Sequence, residues 1–277
     1  MKIYAFADEA CPMIDGQIAA MQRNGLAGLE IRNVDGTNVA SITPNKAREV
    51  RRKLDDAGLV TWSIGSPIGK IHIETGDFAA HLEAFQNVIE VAHILGAGNI
   101  RMFSFFIPRG KDPASYKNKV MDQLGQLVEI ADGSNLDLCH ENEKGIYGDL
   151  ACRCLEIHQT FPTLKAVFDP ANFVQCGQDT WQAWEMLKPY VKYIHVKDAL
   201  ADGNVVPSGH GIGNVEKIVS AFRFAGGCDL SVEPHLTVFD GLAGLEENGD
   251  VSKIGKFVYP SSDAAFDAAC NALKVLL

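Results

Sequence analysis

Four short apolar runs in the second half of the chain each stop at an ionisable residue. One reads Leu-Cys-His140-Glu141-Asn142-Glu143, and the next Val-Phe-Asp169-Pro170-Ala171-Asn172. The third reads Tyr-Ile-His195-Val196-Lys197-Asp198, and the last Ser-Val-Glu233-Pro234-His235. A lone acid at the end of a strand is ordinarily a helix N-cap or a solvated loop residue. The same event in four successive runs implies a common meeting point. Three carboxylates converging there would repel and raise one another's pKa unless a cation sat between them. Glu141, Asp169, His195 and Glu233 offer three hard oxygen ligands and one imidazole. That set suits Mn²⁺, Mg²⁺ or Co²⁺, and Zn²⁺ less well in the absence of thiolates. One divalent ion so held keeps positions open for substrate oxygens and water.

The elements that must bring these residues together are legible as an alternation. Short β-rich runs fall at 3–7, 28–32, 60–65, 99–105, 136–140, 165–168, 192–196 and 230–233. Amphipathic runs of 3.6-residue period lie between them, at 15–24, 44–57, 116–131, 150–160, 181–187 and 215–225, with 263–277 closing the chain. Another runs through Leu82, Phe85, Ile89 and Ala92, widened by Val88 and Leu95. Glycines after helices (Gly25, Gly58, Gly96) supply left-handed caps, and Thr43-Pro44, Asp179 and Ser261 or Ser262 supply helix starts. Repeated β-then-α units of about 30 residues predict a single (β/α)8 barrel over residues 1–277, with an open doubly wound sheet as the competing arrangement. Barrel enzymes carry their chemistry at the C-terminal ends of the strands, where the four ionisable residues fall. The long irregular segment 236–260 follows the last strand and is expected to cover the site or to join subunits.

Composition narrows the classes further. The chain has 277 residues, 47% hydrophobic and 22% charged, with a formal net charge of −10. Its pI is near 5.2 and its mean hydropathy is near zero. That balance opposes a nucleic-acid surface, which needs a basic patch. No apolar run approaches the ~18 residues of a membrane span, and the start lacks a secretory pattern, so a cytoplasmic protein is expected. The 7 cysteines include no C-x-x-C pair and read as reduced thiols.

The chain resembles the xylose-isomerase-like barrel superfamily of sugar isomerases, epimerases and inosose dehydratases. CHENEKGIYGD, VFDPANFVQCG, YIHVKDAL, VVPSGHGIGNV and LSVEPHL carry the resemblance, with FADEA and GLEIRNVDG near the start. It implies that Glu141, Asp169, His195 and Glu233 hold one divalent metal, Mn²⁺ foremost, with Mg²⁺, Co²⁺ or Zn²⁺ as alternatives. It also implies that Glu141 and Glu233 exchange a proton with the substrate. Many relatives carry His where this chain has Asn172 and Glu143, positions that touch substrate or a second metal. The histidines of the related three-zinc apurinic endonucleases are missing.

The expected activity is therefore isomerisation or epimerisation of a small ketose, polyol-derived ketone or keto-acid, by proton transfer through a metal-bound ene-diolate. Two readings stay open: an inosose-type dehydratase using the same site, and a sugar-binding barrel without turnover. The expected partner is a small carbohydrate, with no nucleic acid and no membrane, and a homo-oligomer is allowed. Lys197, two residues beyond His195, faces the same side and reads as a substrate contact or as a salt bridge to a neighbouring acid. Glu9 and Glu30 end the first two strands, where sugar contact, capping and salt bridging are equal explanations. Gly209-His210-Gly211-Ile212-Gly213-Asn214 resembles a phosphate loop before a helix, from which His210 could reach substrate, with a flexible loop as the plain alternative. The loop lacks a dinucleotide fingerprint, so no nucleotide cofactor is expected. Arg32 and Arg109 are further anion contacts by type. His140 is out of phase with Glu141 and points toward the helix layer.

Overall fold

The computed structural model describes residues 1–239 and 253–277. Eight parallel strands close into a barrel: β1 Lys2–Ala5, β2 Gly28–Ile31, β3 Val60–Gly65, β4 Asn99–Met102, β5 Asp137–Glu141, β6 Lys165–Phe168, β7 Val191–Val196 and β8 Asp229–Val232. Each strand pairs with its sequence neighbours, and β1 meets β8 in the register Ala5 to Val232. The closed form prevails over the open sheet. Closure leaves no edge strand with unpaired N–H and C=O groups.

Around the barrel lie α1 Ile14–Arg23, α2 Pro44–Asp56, α3 Phe78–Leu95, α4 Lys117–Ala131, α5 Ala151–Thr160, α6 Pro170–Gln175, α7 Thr180–Leu187, α8 Val215–Phe224 and α9 Ser262–Leu276. Their ends follow the sequence logic. Thr43 caps α2 by accepting from Lys46 N, Asp179 caps α7, and Ser261 caps α9 from Ala264 N. The buried residues of α2, Ala47, Val50 and Leu54, recur at helical spacing and pack on the strands.

Six of the eight strands differ from the sequence reading by one to three residues, β4 the most. The β4 run stops at Met102 instead of residue 105, because the following amides turn to a neighbouring loop. Phe103 N bonds Ile68 O and Phe105 N bonds Gly69 O, with Phe105 at φ 65°. Gly69 is required there, since a Cβ on it would lie 2.0 Å from Phe103 O. In β5 the last strand residue is Glu141, not His140.

The floor of the barrel is aromatic. Tyr4 stacks on Trp62 with centroids 4.8 Å apart, and Tyr193 meets the same indole edge-on. No helix among the described residues is long and apolar enough to cross a membrane.

Candidate metal centre

Alternation along the strands decides what enters the barrel. On β7, Tyr193 and His195 point inward, and Lys197 continues the row just past the strand end. On β5, Cys139 and Glu141 do the same, so His140 between them faces the helices. There its ring reaches Ser104 Oγ at 2.9 Å and packs edge-on against His158. Glu141, Asp169, His195 and Glu233 come together at the mouth, with one ligand atom from each lying within 4.8 Å of the others. All four are buried.

Each of the four is held by a partner that leaves one atom turned inward. Arg101 donates to Glu141 Oε2 at 3.0 Å, so Oε1 faces the cluster. Asp169 N-caps α6: its Oδ1 accepts from Asn172 N at 2.9 Å, while the buried Oδ2 meets the Lys197 ammonium. Capping uses one oxygen of the carboxylate and leaves the other available to serve as a ligand, so the two roles are not rivals. His195 is gripped from both sides, Nε2 on Glu30 Oε2 and Nδ1 on Glu141 Oε1, each at 2.9 Å. Arg32 donates to Glu233 Oε1 at 3.3 Å.

Lys197 stands inside this arrangement. Its Nζ lies 2.9 Å from Asp169 Oδ2 and 2.7 Å from Glu233 Oε2. The side chain is 6% exposed, against 0% for Asp169. The salt-bridge explanation therefore describes the geometry, and the bridge is to two members of the cluster itself.

The electrostatics show a shortage of positive charge. Six buried carboxylates (Asp8, Glu9, Glu30, Glu141, Asp169, Glu233) face four buried cations (Arg32, Arg101, Lys197 and a doubly bonded His195). Burial pushes Asp169 up to about 7 despite Lys197, with Glu233 and Glu141 adding to the rise. Burial likewise pushes Glu9 up to about 8 despite Arg32. Burial opposes a charge on His195 as well, yet Glu141 and Glu30 hold it well above the usual imidazole range. Against the same burial penalty, Lys197 chiefly keeps Glu233 well below the carboxylate range.

A divalent cation fits this donor set. Asp169 Oδ2 is a buried oxygen with no counter-charge but the Lys197 ammonium, the inward oxygens are hard, and Nδ1 of His195 is the nitrogen turned to them. Glu30 would then be the outer carboxylate that orients His195 toward such an ion, and Tyr193 OH donates to its other oxygen at 2.7 Å.

The other sequence-predicted residues fall in three places. Asn172 touches the cluster: its side-chain nitrogen sits 2.9 Å from Asn142 O and 3.4 Å from Glu141 Oε1. Glu143 stands outside the four and pairs with Lys70 at 3.2 Å, while Lys70 lies over the Phe103 ring. Glu9 is buried beside the cluster, accepting from Arg32 at 3.0 Å and from His235 N at 2.6 Å. His210 is exposed with its ring against Phe257, and among the described residues no hydrogen bond or ion pair joins it to the cluster.

The glycine loop is not an open anion cradle. The carboxylate of Asp198 fills it, accepting from Gly209 N and Gly211 N at 3.0 Å and from Gly213 N at 2.9 Å. A Cβ on Gly211 would sit 2.2 Å from Asp198 Oδ1. The backbone amides expected to meet a phosphate are consumed by a side chain of the same chain, which also makes the loop an ordered one.

Arg101 is the site residue that sequence reasoning passed over. Its signal was a charge on the inward phase of an otherwise apolar strand. His235 is another: it is buried at φ 43°, with Nδ1 3.7 Å from Glu9 Oε1 and 3.8 Å from Glu233 Oε1. Arg32 is no free anion contact, since it is saturated by Asp8, Glu9 and Glu233 and lies 4.6 Å from the Phe6 and Phe239 ring centroids. Phe239 belongs to the expected covering segment, whose residues 240–252 lie outside the described ones.

Above the cluster is a cavity of about 20 Å³ lined in part by Lys70, Arg101, Glu143, Lys197, Glu233 and His235. A larger groove of about 810 Å³ lies at the opposite end, between α4 and the start of β5, and no histidine, cysteine or cationic side chain lines it. The convergence of ionisable groups, not size, marks the functional end.

The fold is shared with solved structures of low sequence identity. The probable 3-DHS dehydratase AsbF, involved in petrobactin synthesis, from Bacillus anthracis superposes with a TM-score of 0.74 at 17% identity, covering 99% of each chain. The IOLI protein with a bound zinc atom gives 0.75 at 15% identity, covering 100% of this chain and 98% of that one. The 3-keto-D-glucoside 4-epimerase YcjR from E. coli gives 0.71 at 14% identity, with 100% and 98% coverage. No curated protein sequence matches the chain. A family profile described as the xylose isomerase-like TIM barrel matches residues 18–251, most of the chain. With that match joined to the closed barrel, the chain belongs to the xylose isomerase-like TIM-barrel family.

Proposed function

We propose that this protein is a metal-dependent enzyme that moves a proton at the carbon beside a carbonyl of a small hydroxylated ketone, as an isomerase or epimerase. The observation that carries the reading is the convergence of Glu141, Asp169, His195 and Glu233 on one buried point at the catalytic end of the barrel. Those four residues would hold the ion, Mn²⁺ first by ligand type, with Mg²⁺, Co²⁺ and Zn²⁺ as alternatives. When bound, it would supply Lewis-acid polarisation of a substrate carbonyl and its neighbouring hydroxyl.

The chain's own groups do the rest. Glu141 and Glu233 enter from β5 and β8, and each has one oxygen pinned by a buried arginine, Arg101 or Arg32. The unpinned oxygens face the same space, where one glutamate takes the proton and the other returns it. Asn172 fixes Glu141 from the side, and Glu30 fixes His195 from below. Phe239 over Arg32 helps keep water from the buried charges.

A dehydratase reading rests on the same first step. The cationic groups lining the cavity, Lys70 and Lys197, are placed to hydrogen-bond a departing hydroxyl. Among the structural neighbours are a probable dehydratase and epimerases, so both outcomes occur on this fold.

The test is metal content and thermal stability before and after chelation, beside Glu233→Ala, followed by solvent-deuterium exchange across a ketose and inosose panel. About one ion per chain, lost in the variant, with exchange at a carbon next to the carbonyl, is the expected outcome. No binding of Mn²⁺ at millimolar concentration overturns the reading. Deuterium uptake without water loss selects isomerisation or epimerisation, and water loss selects the dehydratase.

A further inference from the structure

We propose that Lys197 is the protein's internal stand-in for the metal: its ammonium bridges Asp169 and Glu233 while the ion is absent and must leave that bridge for the ion to enter. The inference rests on the metal reading above and concerns what that reading leaves unassigned. Lys197 Nζ reaches Asp169 Oδ2 at 2.9 Å and Glu233 Oε2 at 2.7 Å, which are the two inward-turned oxygens not already bonded to His195 or an arginine. Glu141 spends its inward oxygen on His195 Nδ1, and His195 spends that nitrogen on Glu141. Without Lys197, Asp169 Oδ2 and Glu233 Oε2 would face each other buried, with only the distant edge of His195 (3.8 Å from Glu233 Oε2) between them. Two facing carboxylates in a dry site repel, and a bridging cation removes that cost.

The same geometry makes Lys197 a competitor. An ion coordinated by Asp169 and Glu233 needs the lone pairs on which the ammonium rests, and two cations cannot share so small a space. The adjoining cavity of about 20 Å³ holds about one water, so the lysine has to swing outward before anything larger enters. The Glu143 carboxylate, already paired with Lys70, lines that cavity and offers the displaced ammonium a carboxylate to share. Placement explains why a lysine can do this. Lys197 follows β7 by one residue, outside the ladder, on a flexible four-carbon stem, whereas a guanidinium would lock the two acids with a rigid fork.

Two opposite effects follow. Lys197 stabilises the metal-free barrel, and it weakens metal binding. Calorimetric titration of Mn²⁺ into chelator-treated wild type, Lys197→Met and Lys197→Gln measures both, together with melting temperatures with and without Mn²⁺. The expected result is Mn²⁺ binding at least tenfold tighter in both variants, with a lower melting temperature in chelator and an equal or higher one in Mn²⁺.

Equal or weaker Mn²⁺ binding by folded variants, with wild type binding normally, overturns the role of Lys197 and leaves the metal reading intact. Binding by the variants alone supports the stand-in and overturns metal dependence of the native chain. No binding by any of the three overturns both. If Lys197→Met precipitates in chelator, refolding in Mn²⁺ supports the proposal. Failure of both variants to fold in Mn²⁺ overturns it, because the ion should replace the ammonium.

Discussion

Replacing Arg101 by Met should cost far more stability than any exposed ion pair. The guanidinium is 3% exposed, donates to Glu141 Oε2 and Gly65 O at 3.0 Å each, and lies over the Phe103 ring at 4.7 Å. Methionine retains much of the apolar contact but leaves the buried Glu141 carboxylate with His195 as its one hydrogen-bonded cation. Breaking a buried pair by removing one partner typically costs about 3–5 kcal/mol. For a chain of this size that corresponds to a fall in melting temperature on the order of 10 °C. The control is Lys188→Met, whose pair with Glu185 is 46% and 47% exposed and is worth about 0.3–0.5 kcal/mol. Urea and thermal unfolding in chelator measure both. The double variant Arg101→Met, Glu141→Gln should recover more than half of the loss, since it removes the stranded charge as well. An Arg101→Met protein within 1 kcal/mol of wild type, or no recovery in the double variant, would refute the claim that these charges sit in a dry, mutually dependent network.

Two further outcomes can be checked independently. Asp198→Ala empties the amide nest of Gly209, Gly211 and Gly213, and bonds from charged acceptors lost together should cost about 3 kcal/mol or more in urea unfolding. An unchanged midpoint would mean that the loop orders itself without the carboxylate. For pH, burial depresses His158 to about 4, so the unfolded chain binds the extra proton once pH drops below about 6.5. Stability is therefore present above pH 6.5 and is lost on acidification, at about 1.4 kcal/mol per pH unit toward 4. The difference between wild type and His158→Phe, followed by urea unfolding from pH 7.5 to 5, isolates this contribution, and a flat difference would contradict it.

How far the site was legible depended on period and partner. Glu141, Asp169, His195 and Glu233 could be found in the sequence because a parallel barrel strand ends abruptly and always at the same rim. Arg101 and Glu30 were harder. A charge inside a short apolar run signals burial but not its partner, and these partners lie on other strands, β5 for Arg101 and β7 for Glu30. Gly209–Gly213 misled for a related reason. A glycine-rich turn before a helix exposes amides to any anion, and local sequence does not say that the anion is Asp198, eleven residues earlier than Gly209. His210 was drawn toward the site by that motif, whereas the chain leaves it exposed against Phe257.

The sequence by itself determined the alternation of strand and helix, the helix caps and the four ionisable residues at the strand ends, with the closed barrel and the open sheet as competing arrangements. These depend on hydrophobic period and on local hydrogen bonding, which act over a few residues at a time. Tertiary structure alone decided closure and the pairings: which oxygen of Asp169 caps α6 and which faces inward, that Arg32 serves Asp8, Glu9 and Glu233 at once, and that Lys197 bridges Asp169 and Glu233. Charge pairing acts through space between side chains far apart in sequence. Its outcome is fixed only when barrel closure sets their separations to within an ångström.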